Sequence, residues 1–448
     1  MYFIKEVEIF RRSDNKYYMV NLINGALDII DEQLYNNILE GAFNKIDEET
    51  LLLLKQRKYL FESQKSYESY IEDLNKRIQK AENDAYPNFL LIPSYNCNLN
   101  CIYCYEHTYE MSCKNKERDL ELIDEQYKII DNIVKSHDIP AEKLENVRIT
   151  IMGGEPLLIP NKQVVEKIIN LAEEKGYTVD IVTNGVDLDS FINILKSKAV
   201  KAIQITLDGP KAIHDKRRIF FDGRGSFDKI LKNLELALKN DINVFVRVNV
   251  DNENINHLTD LADLLFEKFQ NRKNLHPYIY LLQDGGCSGE SNVVKEEVGL
   301  QKIYDLQKNN ANLQKFYVKS HVYPLINSII NNQPFNPRLK HCGASGNQFI
   351  LDEKLLVYKC WHGIGNERFS VGKYSSKGLM INKELEERWI NRDATKIGKC
   401  KNCKYRYICG TGCPAATHKK SDLMDTKLPF CSNYGELIKL SIYNYYGE

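Results

Sequence analysis

Residues 89–107 read "FLLIPSYNCNLNCIYCYEH", an apolar run followed closely by three cysteines within eight positions. The apolar run predicts a buried strand, and Cys97, Cys101 and Cys104 follow it in the next loop. Three thiolates in one short loop can hold three irons of a four-iron cluster and leave the fourth iron open to a small molecule. A structural zinc site would need a fourth ligand, for which His107 is a candidate. This stretch by itself is compatible with either an iron–sulfur cluster or a zinc site.

The chain as a whole carries no net charge, because 61 Lys and Arg residues balance 61 Asp and Glu residues. That balance provides no overall attraction to nucleic acid or to an anionic membrane. The N-terminus lacks the apolar core of a signal peptide, and no apolar stretch approaches the ~20 residues of a membrane span. We therefore expect a cytoplasmic protein that binds neither nucleic acid nor membrane. Its 12 cysteines are expected to bind metal or do redox chemistry rather than form disulfides.

Beyond the first cysteines, strand patterns and helix patterns alternate regularly. Six apolar segments rich in β-branched residues predict strands at 89–96, 146–154, 177–185, 202–210, 242–250 and 276–284. Amphipathic segments lie between them, which predicts a parallel sheet with right-handed crossovers. The expected fold class is α/β, with a partial (β/α)6 barrel of the TIM type and chemistry at the carboxyl ends of the strands. Polar and glycine residues stand at those ends, at 153–155, 183–185 and 208–209.

Residues 1–85 have a different pattern. The segment "YYMVNLINGALDII" (17–30) predicts a β-hairpin that turns at Asn24 and Gly25. Two short helical patterns and a charged amphipathic helix over 64–84 follow it. This winged-helix-like composition is compatible with an N-terminal cap, a DNA-binding module or a peptide-docking module. The balanced charge disfavours DNA binding, and we favour peptide docking because of the chemistry expected from the rest of the chain.

The last region, 335–448, is rich in cysteine and poor in apolar periodicity, so we expect bound metal to stabilise its fold. Its seven cysteines are Cys342, Cys360, Cys400, Cys403, Cys409, Cys413 and Cys431. Two zinc-ribbon sites would use the same residues, so their spacing alone leaves the metal open. We assign residues 86–290 to the barrel and 291–334 to a helical bridge between the two regions.

Several motifs together resemble the radical S-adenosylmethionine (radical SAM) superfamily. "CNLNCIYCY" is similar to its C-x3-C-x2-C motif, including the aromatic Tyr103 before the last cysteine. "GGEP" (153–156) follows the second strand, "TNG" (183–185) closes the third, and "TLDGPKAIHDKRR" (206–218) follows in the same order. The spacing C-x2-C-x5-C-x3-C from Cys400, with a later cysteine, resembles the SPASM extension of one branch.

The resemblance implies that Cys97, Cys101 and Cys104 hold a [4Fe–4S] cluster that cleaves S-adenosylmethionine. The two glycines would let the backbone approach the methionine group, and Glu155 would offer its carboxylate to the ammonium. Arg218 or Arg247 would pair with the carboxylate, although a structural salt bridge is as good an interpretation of either. The expected cofactor contacts are Tyr103, Gly153, Gly154, Glu155, Pro156, Thr183, Asn184, Thr206, Asp208, Arg218 and Arg247, of which the polar strand-end residues suit the ribose hydroxyls.

The same resemblance implies two auxiliary clusters, and therefore three [4Fe–4S] clusters in total. One would be held by Cys400, Cys403, Cys409 and Cys431, and the other by Cys342, Cys360 and Cys413. Leu355 stands where the family usually has a glycine, which we interpret as variation within a β-turn. Some relatives have a further cysteine after the position of Cys342, near Gln348 in this chain. The fourth iron of that cluster is thus expected to be open, closed by Cys287, or bound by substrate.

Members of this branch modify peptides and proteins. Anaerobic sulfatase-maturing enzymes, which form formylglycine, have an Asp where this chain has Trp361, and they lack some 85 residues before the barrel. We therefore expect a maturase of ribosomally made peptides, with residues 1–85 binding the leader segment by strand addition. A thioether is the favoured product, as in sactisynthases, because an open auxiliary iron could hold a substrate cysteine. Carbon–carbon crosslinking, formylglycine formation and an iron–sulfur electron carrier are the alternatives, and flavodoxin or ferredoxin is the expected electron donor.

Overall fold

The structure is a computed structural model that describes residues 1–104, 106, 120–270, 272–282, 292–420 and 427–447. His107 and Cys287, singled out above, lie outside these ranges, as does Cys113. The elements of the N-terminal region are β1 (Tyr2–Phe3), β2 (Val7–Arg11), β3 (Tyr17–Asn21), β4 (Leu27–Ile30), α1 (Glu32–Glu40), α2 (Glu48–Gln56), β5 (Leu60–Phe61) and α3 (Gln64–Asn83).

The predicted hairpin is confirmed: β3 and β4 pair antiparallel, with Val20 opposite Leu27. The strand β2 pairs with β3, so the sheet has three strands in the order β2-β3-β4. Helix α1 begins after Asp31, whose carboxylate accepts the backbone N–H of Leu34, and α2 begins after Asp47 in the same way. Small helices therefore flank a short sheet with β4 at one edge, and the winged-helix interpretation stays a prediction.

The six predicted strands of the second region are all present. This region comprises β6 (Asn88–Ile92), α4 (Leu120–Ser136), β7 (Arg148–Ile151), α5 (Lys162–Lys175), β8 (Thr178–Thr183), β9 (Val200–Thr206), α6 (Lys211–Arg217), α7 (Phe227–Lys239), β10 (Val244–Val250), α8 (Leu258–Phe269) and β11 (Leu275–Leu281). Neighbouring strands pair in parallel and in chain order from β6 to β11. Alternate residues of β10, such as Val246 and Val248, are fully buried and belong to the same apolar core as Ile168 of α5 and Leu234 of α7. The α/β class is confirmed, and the large parallel sheet is consistent with a partial barrel.

The sheet is larger than the six strands predicted and continues past residues 290 and 334, the two later domain boundaries predicted from the sequence. The remaining elements are α9 (Glu296–Lys308), β12 (Tyr317–Val318), α10 (Tyr323–Ile330), β13 (Gln348–Asp352), β14 (Leu356–Tyr358), β15 (Gly372–Ser375), β16 (Gly378–Ile381), α11 (Lys383–Ile390), α12 (Gly398–Lys401), α13 (Arg406–Cys409) and α14 (Tyr434–Tyr446). In the part of the chain described, the order is β12-β11-β10-β9-β8-β7-β6-β13-β14-β15-β16, with β12 and β13 parallel to their neighbours β11 and β6. None of the helices described is long and apolar enough to cross a membrane.

The N-terminal region packs directly on the cysteine-rich C-terminal region. Glu82 of α3 accepts the backbone N–H groups of Leu339 (2.8 Å) and Lys340 (2.9 Å). The buried carboxylate of Glu6 pairs with Arg406 at 3.2 Å. One apolar cluster joins residues of both regions, among them Ile4, Leu54, Leu74, Ile397, Cys400 and Tyr407. The first module thus covers the part of the C-terminal region that contains Cys400.

Leu355 lies in the left-handed backbone region, in the turn between β13 and β14. Its φ is +65°, and Asp352 Oδ1 holds the turn by accepting the backbone N–H groups of Lys354 (3.0 Å) and Leu356 (2.8 Å). The expected β-turn is therefore present, and the usual glycine would suit it because glycine adopts a positive φ without steric cost.

Replacing Leu355 by glycine is expected to raise the free energy of unfolding by about 0.5–1 kcal/mol. The left-handed conformation costs an ordinary residue roughly 1–2 kcal/mol, which glycine would not pay. Part of this gain is lost because glycine gives the unfolded chain more conformational entropy. Urea unfolding of the two proteins measures the difference. Lys354→Gly, in the same turn but without a positive φ, should instead lower stability slightly. Destabilisation by both glycines would show that the Leu355 backbone is not strained.

Candidate active site around Cys97, Cys101 and Cys104

The first three cysteines lie in the loop that follows β6. Cys101 is buried and the other two are half-buried. Residues 217–219 hold the loop, because Asn100 donates its N–H to Ile219 O (2.7 Å) and Ile102 to Arg217 O (3.1 Å). Burial raises the pKa of Cys104 to about 12, and burial, Glu155 and the other two thiols raise that of Cys97. Neutral thiols close enough to influence one another would lose their protons on binding metal.

Gly154 is required by the close approach of two backbone segments. A Cβ at this position would lie 2.3 Å from Tyr95 O and 2.5 Å from Asn96 O. Backbone bonds join the same segments, from Gly154 N to Ser94 O (3.2 Å) and from Glu155 N to Asn96 O (2.8 Å). The loop after β7 therefore supports the residues directly before Cys97. This role of the glycine concerns the cysteine loop, and its expected role at the methionine group stays a prediction.

Glu155 is a buried carboxylate that joins the loops after β7 and β8. Its Oε1 accepts from Thr183 Oγ1 (2.6 Å) and Leu157 N (2.8 Å), and its Oε2 accepts the N–H of Asn184 (2.6 Å). Burial raises the pKa of Glu155 to about 7 despite these donors. The carbonyl oxygens of Glu155 and Pro156 both accept from Asn161 Nδ2, at 3.0 and 3.1 Å. This network orders "GGEP" and "TNG" relative to each other.

Asn184 lies against the cysteine loop itself. Its Nδ2 donates to Asn98 Oδ1 at 2.7 Å and lies 3.9 Å from Cys97 Sγ. Its Oδ1 accepts the N–H of Val186 at 2.8 Å. The expected role at ribose hydroxyls stays a prediction, and the side-chain contacts of Asn184 are to the loop that would hold the cluster.

Tyr103 connects the cysteine loop to the carboxyl ends of β9 and β10. Its hydroxyl donates to Asp208 Oδ2 and accepts from Arg218 Nη1 (2.8 Å) and Asn249 Nδ2 (3.2 Å). Asp208 is fully buried, and its Oδ1 accepts the N–H of Asn249 at 3.1 Å. The predicted residues Tyr103, Asp208 and Arg218 thus meet at one point beside the cysteines.

Arg218 is buried next to Cys101. Burial lowers its pKa, but Cys101, Tyr103 and Asp208 more than offset that effect, so the guanidinium stays charged. Its Nε is buried without a hydrogen-bond partner among the residues described. A buried N–H donor of a permanently charged group suits an incoming carboxylate.

Arg247 lies on the sheet face that also carries Thr206 and Tyr278. These two residues are its parallel partners on β9 and β11. Arg247 Nε donates to Asn249 Oδ1 (2.7 Å), and the guanidinium covers the ring of Tyr280 at 4.3 Å. Of the two predicted arginines, Arg218 is the one next to Cys101 and Tyr103.

Sequence reasoning missed Arg217, although it stands in the quoted segment "HDKRR". Its side chain is 1% exposed, its Nη1 donates to both carboxylate oxygens of Asp251 (3.0 and 2.8 Å), and its guanidinium covers the ring of Tyr103 at 5.1 Å. Its Nε lies 3.7 Å from Asp208 Oδ2. A second arginine beside Arg218 was the only signal in the sequence, because nothing local distinguishes a buried arginine from a surface one.

The C-terminal cysteines influence one another in two sets, and their assignment to two clusters stays a prediction. Burial raises the pKa of Cys360 well above its usual value, and its neighbours Cys413 and Cys342 add to that shift. Burial likewise raises the pKa of Cys400 to about 11, together with Cys409, Cys403 and Cys431. Gln348 is held by a bond from its Nε2 to Lys359 O at 2.7 Å. The chain thus brings three all-thiol groups together.

Thiolates are the usual ligands of iron–sulfur clusters, so the donor chemistry of all three groups fits [4Fe–4S] clusters. The orphan Nε of Arg218 beside the first group suits the carboxylate of S-adenosylmethionine. Among the residues described, no three His, Cys, Asp or Glu side chains are arranged to hold a single metal ion. His107, the possible zinc ligand, is outside the described residues.

Comparison with known proteins agrees with this geometry. Residues 91–265 match the model of the radical SAM superfamily. The radical SAM cyclopropyl synthase TigE of Paramaledivibacter caminithermalis is 22% identical to this chain. The alignment covers 97% of this chain and 94% of TigE. A cysteine-type anaerobic sulfatase-maturating enzyme of Clostridium novyi is 25% identical, in an alignment that covers 71% of this chain and 85% of that enzyme. The crystal structure of Streptococcus suis SuiB bound to S-adenosylmethionine matches 96% of this chain and 99% of its own with a TM-score of 0.53 and 15% identity.

The matched segment contains the whole Cys97–Cys104 loop and the strand ends that Tyr103 and Glu155 contact. The match to this domain implies a [4Fe–4S] cluster and S-adenosylmethionine as cofactors. Residues 91–265 are therefore a radical SAM domain, and the chain is an enzyme similar to a sulfatase-maturating enzyme and a cyclopropyl synthase.

Proposed function

We propose that this enzyme modifies a ribosomally made precursor peptide, using three [4Fe–4S] clusters. The observation that carries the proposal is the seating of the N-terminal module on the cysteine-rich C-terminal region. The cyclopropyl synthase and SuiB are both similar to almost the whole chain, whereas the sulfatase-maturating enzyme is similar to 71% of it. SuiB has also been crystallised with its precursor peptide SuiA, in a structure with a TM-score of 0.51 to this one. Together these similarities favour a peptide as substrate.

In this proposal Cys97, Cys101 and Cys104 hold the cluster whose open iron and single electron supply reductive cleavage of S-adenosylmethionine. Arg218 binds the methionine carboxylate through its orphan Nε. The carboxylate of Glu155 has about four acceptor directions, of which three are used by hydrogen bonds within the protein. The remaining one can accept from the ammonium group of S-adenosylmethionine. Gly153, Thr206 and Asp208 lie at the neighbouring strand ends that would receive the rest of the molecule.

We propose two auxiliary clusters with the ligand sets expected from the sequence. Cys400, Cys403, Cys409 and Cys431 are the ligands of one, and Cys342, Cys360 and Cys413 are three ligands of the other. Anaerobically reconstituted protein should then contain about twelve iron atoms per chain, measured by colorimetric iron assay. Zinc in place of iron, or about four iron atoms only, would contradict this assignment.

Residues 1–85 are the proposed docking module for the leader segment. Strand β4 lies at an edge of the three-stranded sheet, and its residue Ile29 is 45% exposed. An edge strand offers free backbone groups to an extended peptide, and an exposed apolar side chain there adds contact area. Deleting the module is an unsuitable test, because it would expose the apolar cluster shared with Cys400.

Ile29→Lys is a sharper test of docking. We expect it to weaken binding of the precursor at least tenfold, because a charge replaces the apolar contact at the sheet edge, while S-adenosylmethionine cleavage without peptide continues. Leu39→Lys, at another exposed apolar residue of the same module, is the matched control. The candidate peptides are the short reading frames beside this gene, and fluorescence anisotropy measures their binding. Unchanged affinity for a peptide that the enzyme processes would reject the β4 edge as the docking site.

The bond formed separates the remaining candidates. A thioether depends on an open iron at Cys342, Cys360 and Cys413, and the rival fourth ligand Cys287 lies outside the described residues. Similarity to the cyclopropyl synthase over 97% of the chain favours carbon–carbon bond formation as the second candidate. Formylglycine formation is less favoured, because Trp361 stands where those enzymes have an Asp.

Product analysis decides between these candidates. The reduced enzyme, S-adenosylmethionine and a deuterated candidate peptide should give deuterated 5′-deoxyadenosine if the enzyme abstracts hydrogen from the peptide. Both crosslinks remove two hydrogens, but only a thioether makes a cysteine resistant to iodoacetamide. Cleavage of S-adenosylmethionine without deuterium transfer from any candidate would contradict a peptide substrate among those candidates. A Cys287→Ala variant that loses one auxiliary cluster would make Cys287 its fourth ligand and remove the basis for the thioether.

A further inference from the structure

The tripeptide Gly410-Thr411-Gly412 joins the two C-terminal cysteine groups and has a rare backbone conformation. Its three φ angles are +57°, +84° and +73°. Thr411 is β-branched and 1% exposed, and such residues seldom adopt a positive φ. Strain of this kind persists only where the surrounding structure enforces it, and it is concentrated at functional sites. Cys409 lies immediately before the tripeptide and Cys413 immediately after it.

The side chain that holds this turn is Arg392, which is 1% exposed. Its Nη2 donates to Thr411 O (3.2 Å) and Gly412 O (3.1 Å), and its Nη1 donates to Leu428 O (2.8 Å). Thr411 O also accepts the N–H of Phe430 at 3.1 Å. The planar guanidinium therefore ties the strained turn to the segment that leads into Cys431.

The bonds to Thr411 O and Gly412 O place Arg392 close to Cys409 of one group and Cys413 of the other. Burial lowers the pKa of Arg392, whereas Cys413 and Cys342 of one group and Cys400 and Cys409 of the other act to raise it. A positive charge near an iron–sulfur cluster stabilises the reduced state, which carries one more negative charge, and so raises the reduction potential. In a water-excluded position that effect is larger than at the surface.

We propose that Arg392 is a positioning residue shared by the two auxiliary cluster sites. Its guanidinium holds the left-handed turn that directs Cys409 to one cluster and Cys413 to the other. Its charge raises the reduction potentials of both clusters together and leaves the cluster on Cys97, Cys101 and Cys104 unaffected. This inference rests on the proposed function, because it assumes the two auxiliary clusters.

The test compares Arg392→Gln and Arg392→Lys with the wild-type protein after anaerobic reconstitution. Iron content and EPR-monitored redox titration are the readouts, and neither requires a substrate. Arg388→Gln is the matched control, because Arg388 lies on α11, is half-exposed and pairs with Glu384 at 2.6 Å. We expect the glutamine variant either to shift both auxiliary potentials to more negative values or to lose both auxiliary clusters together. The lysine variant should retain the charge but lose part of the hydrogen bonding to the turn. Its iron content and auxiliary potentials should therefore lie between those of the wild-type protein and the glutamine variant.

Three results would overturn the proposal. Unchanged auxiliary potentials and iron content in Arg392→Gln, a change in only one auxiliary cluster, or an equal shift in the Arg388→Gln control would each do so. Failure of the cluster assignment is distinguishable, since the wild-type protein itself would then contain only about four iron atoms. That result would overturn the assignment and, with it, the role inferred for Arg392.

Discussion

Replacing Cys97, Cys101 and Cys104 together by alanine is expected to abolish reductive cleavage of S-adenosylmethionine. The three thiolates are the proposed protein ligands of the first cluster, and no neighbouring side chain replaces three such ligands. The formation of 5′-deoxyadenosine with dithionite as reductant should fall to the level without enzyme. The iron content should fall by about four atoms per chain, while the two auxiliary clusters keep their spectra.

Ile102→Ala is the matched control for the triple variant. Ile102 lies in the same loop, its side chain is 50% exposed, and its backbone N–H bonds to Arg217 O. This variant should keep the loop, the cluster and cofactor cleavage. Substantial cleavage by the triple-alanine protein, or full iron content in it, would place the reactive cluster on other cysteines.

Replacing Arg217 by glutamine is expected to lower the free energy of unfolding by about 3–5 kcal/mol. The substitution removes the two hydrogen bonds that the carboxylate of Asp251, which is 3% exposed, accepts from Arg217, and leaves the one from Glu253 N. It also removes one of the two cations beside the fully buried Asp208, the acceptor for Tyr103; the other is Arg218. Urea unfolding of the purified protein, followed by circular dichroism, measures the loss.

Arg224→Gln is the control for charge removal by itself. Arg224 pairs with Asp222 at 2.8 Å, and both side chains are more than half exposed. An exposed ion pair contributes little, so stability should change by less than about 1 kcal/mol. Adding Asp251→Asn to Arg217→Gln should recover part of the stability, because the uncompensated buried charge is removed. A loss below about 1 kcal/mol for Arg217→Gln would show that the buried pair is not stabilising.

The sequence was sufficient for features that depend on nearby residues. Cys97, Cys101 and Cys104 are neighbours because Cys104 is only seven residues after Cys97, whatever the rest of the protein does. The six parallel strands follow from apolar, β-branched segments that alternate with amphipathic ones, and the hairpin follows from Asn24 and Gly25 between two such segments. Leu355 was placed correctly in a turn because the family pattern puts a glycine there.

Strand β12 was missed because two residues are too short for a periodicity to be visible. Strand β13 pairs with β6 although some 260 residues separate Asn88 from Gln348. No local pattern indicates which sheet an additional strand will join, because the edge that it pairs with is formed only after the other strands are in place. The sheet was therefore predicted with six parallel strands and extends beyond them.

By itself the sequence determined the cysteine spacing, the strand and helix periodicity and the order of the motifs, since each depends on residues close together along the chain. The tertiary structure decided which distant groups meet. It brought Asn249 to Tyr103 across 146 positions, seated α3 on the segment around Cys400, and buried Arg217 and Arg392. These arrangements depend on the packing of many weak contacts at once, and the cost of burying a charge can be judged only when its partners are in place.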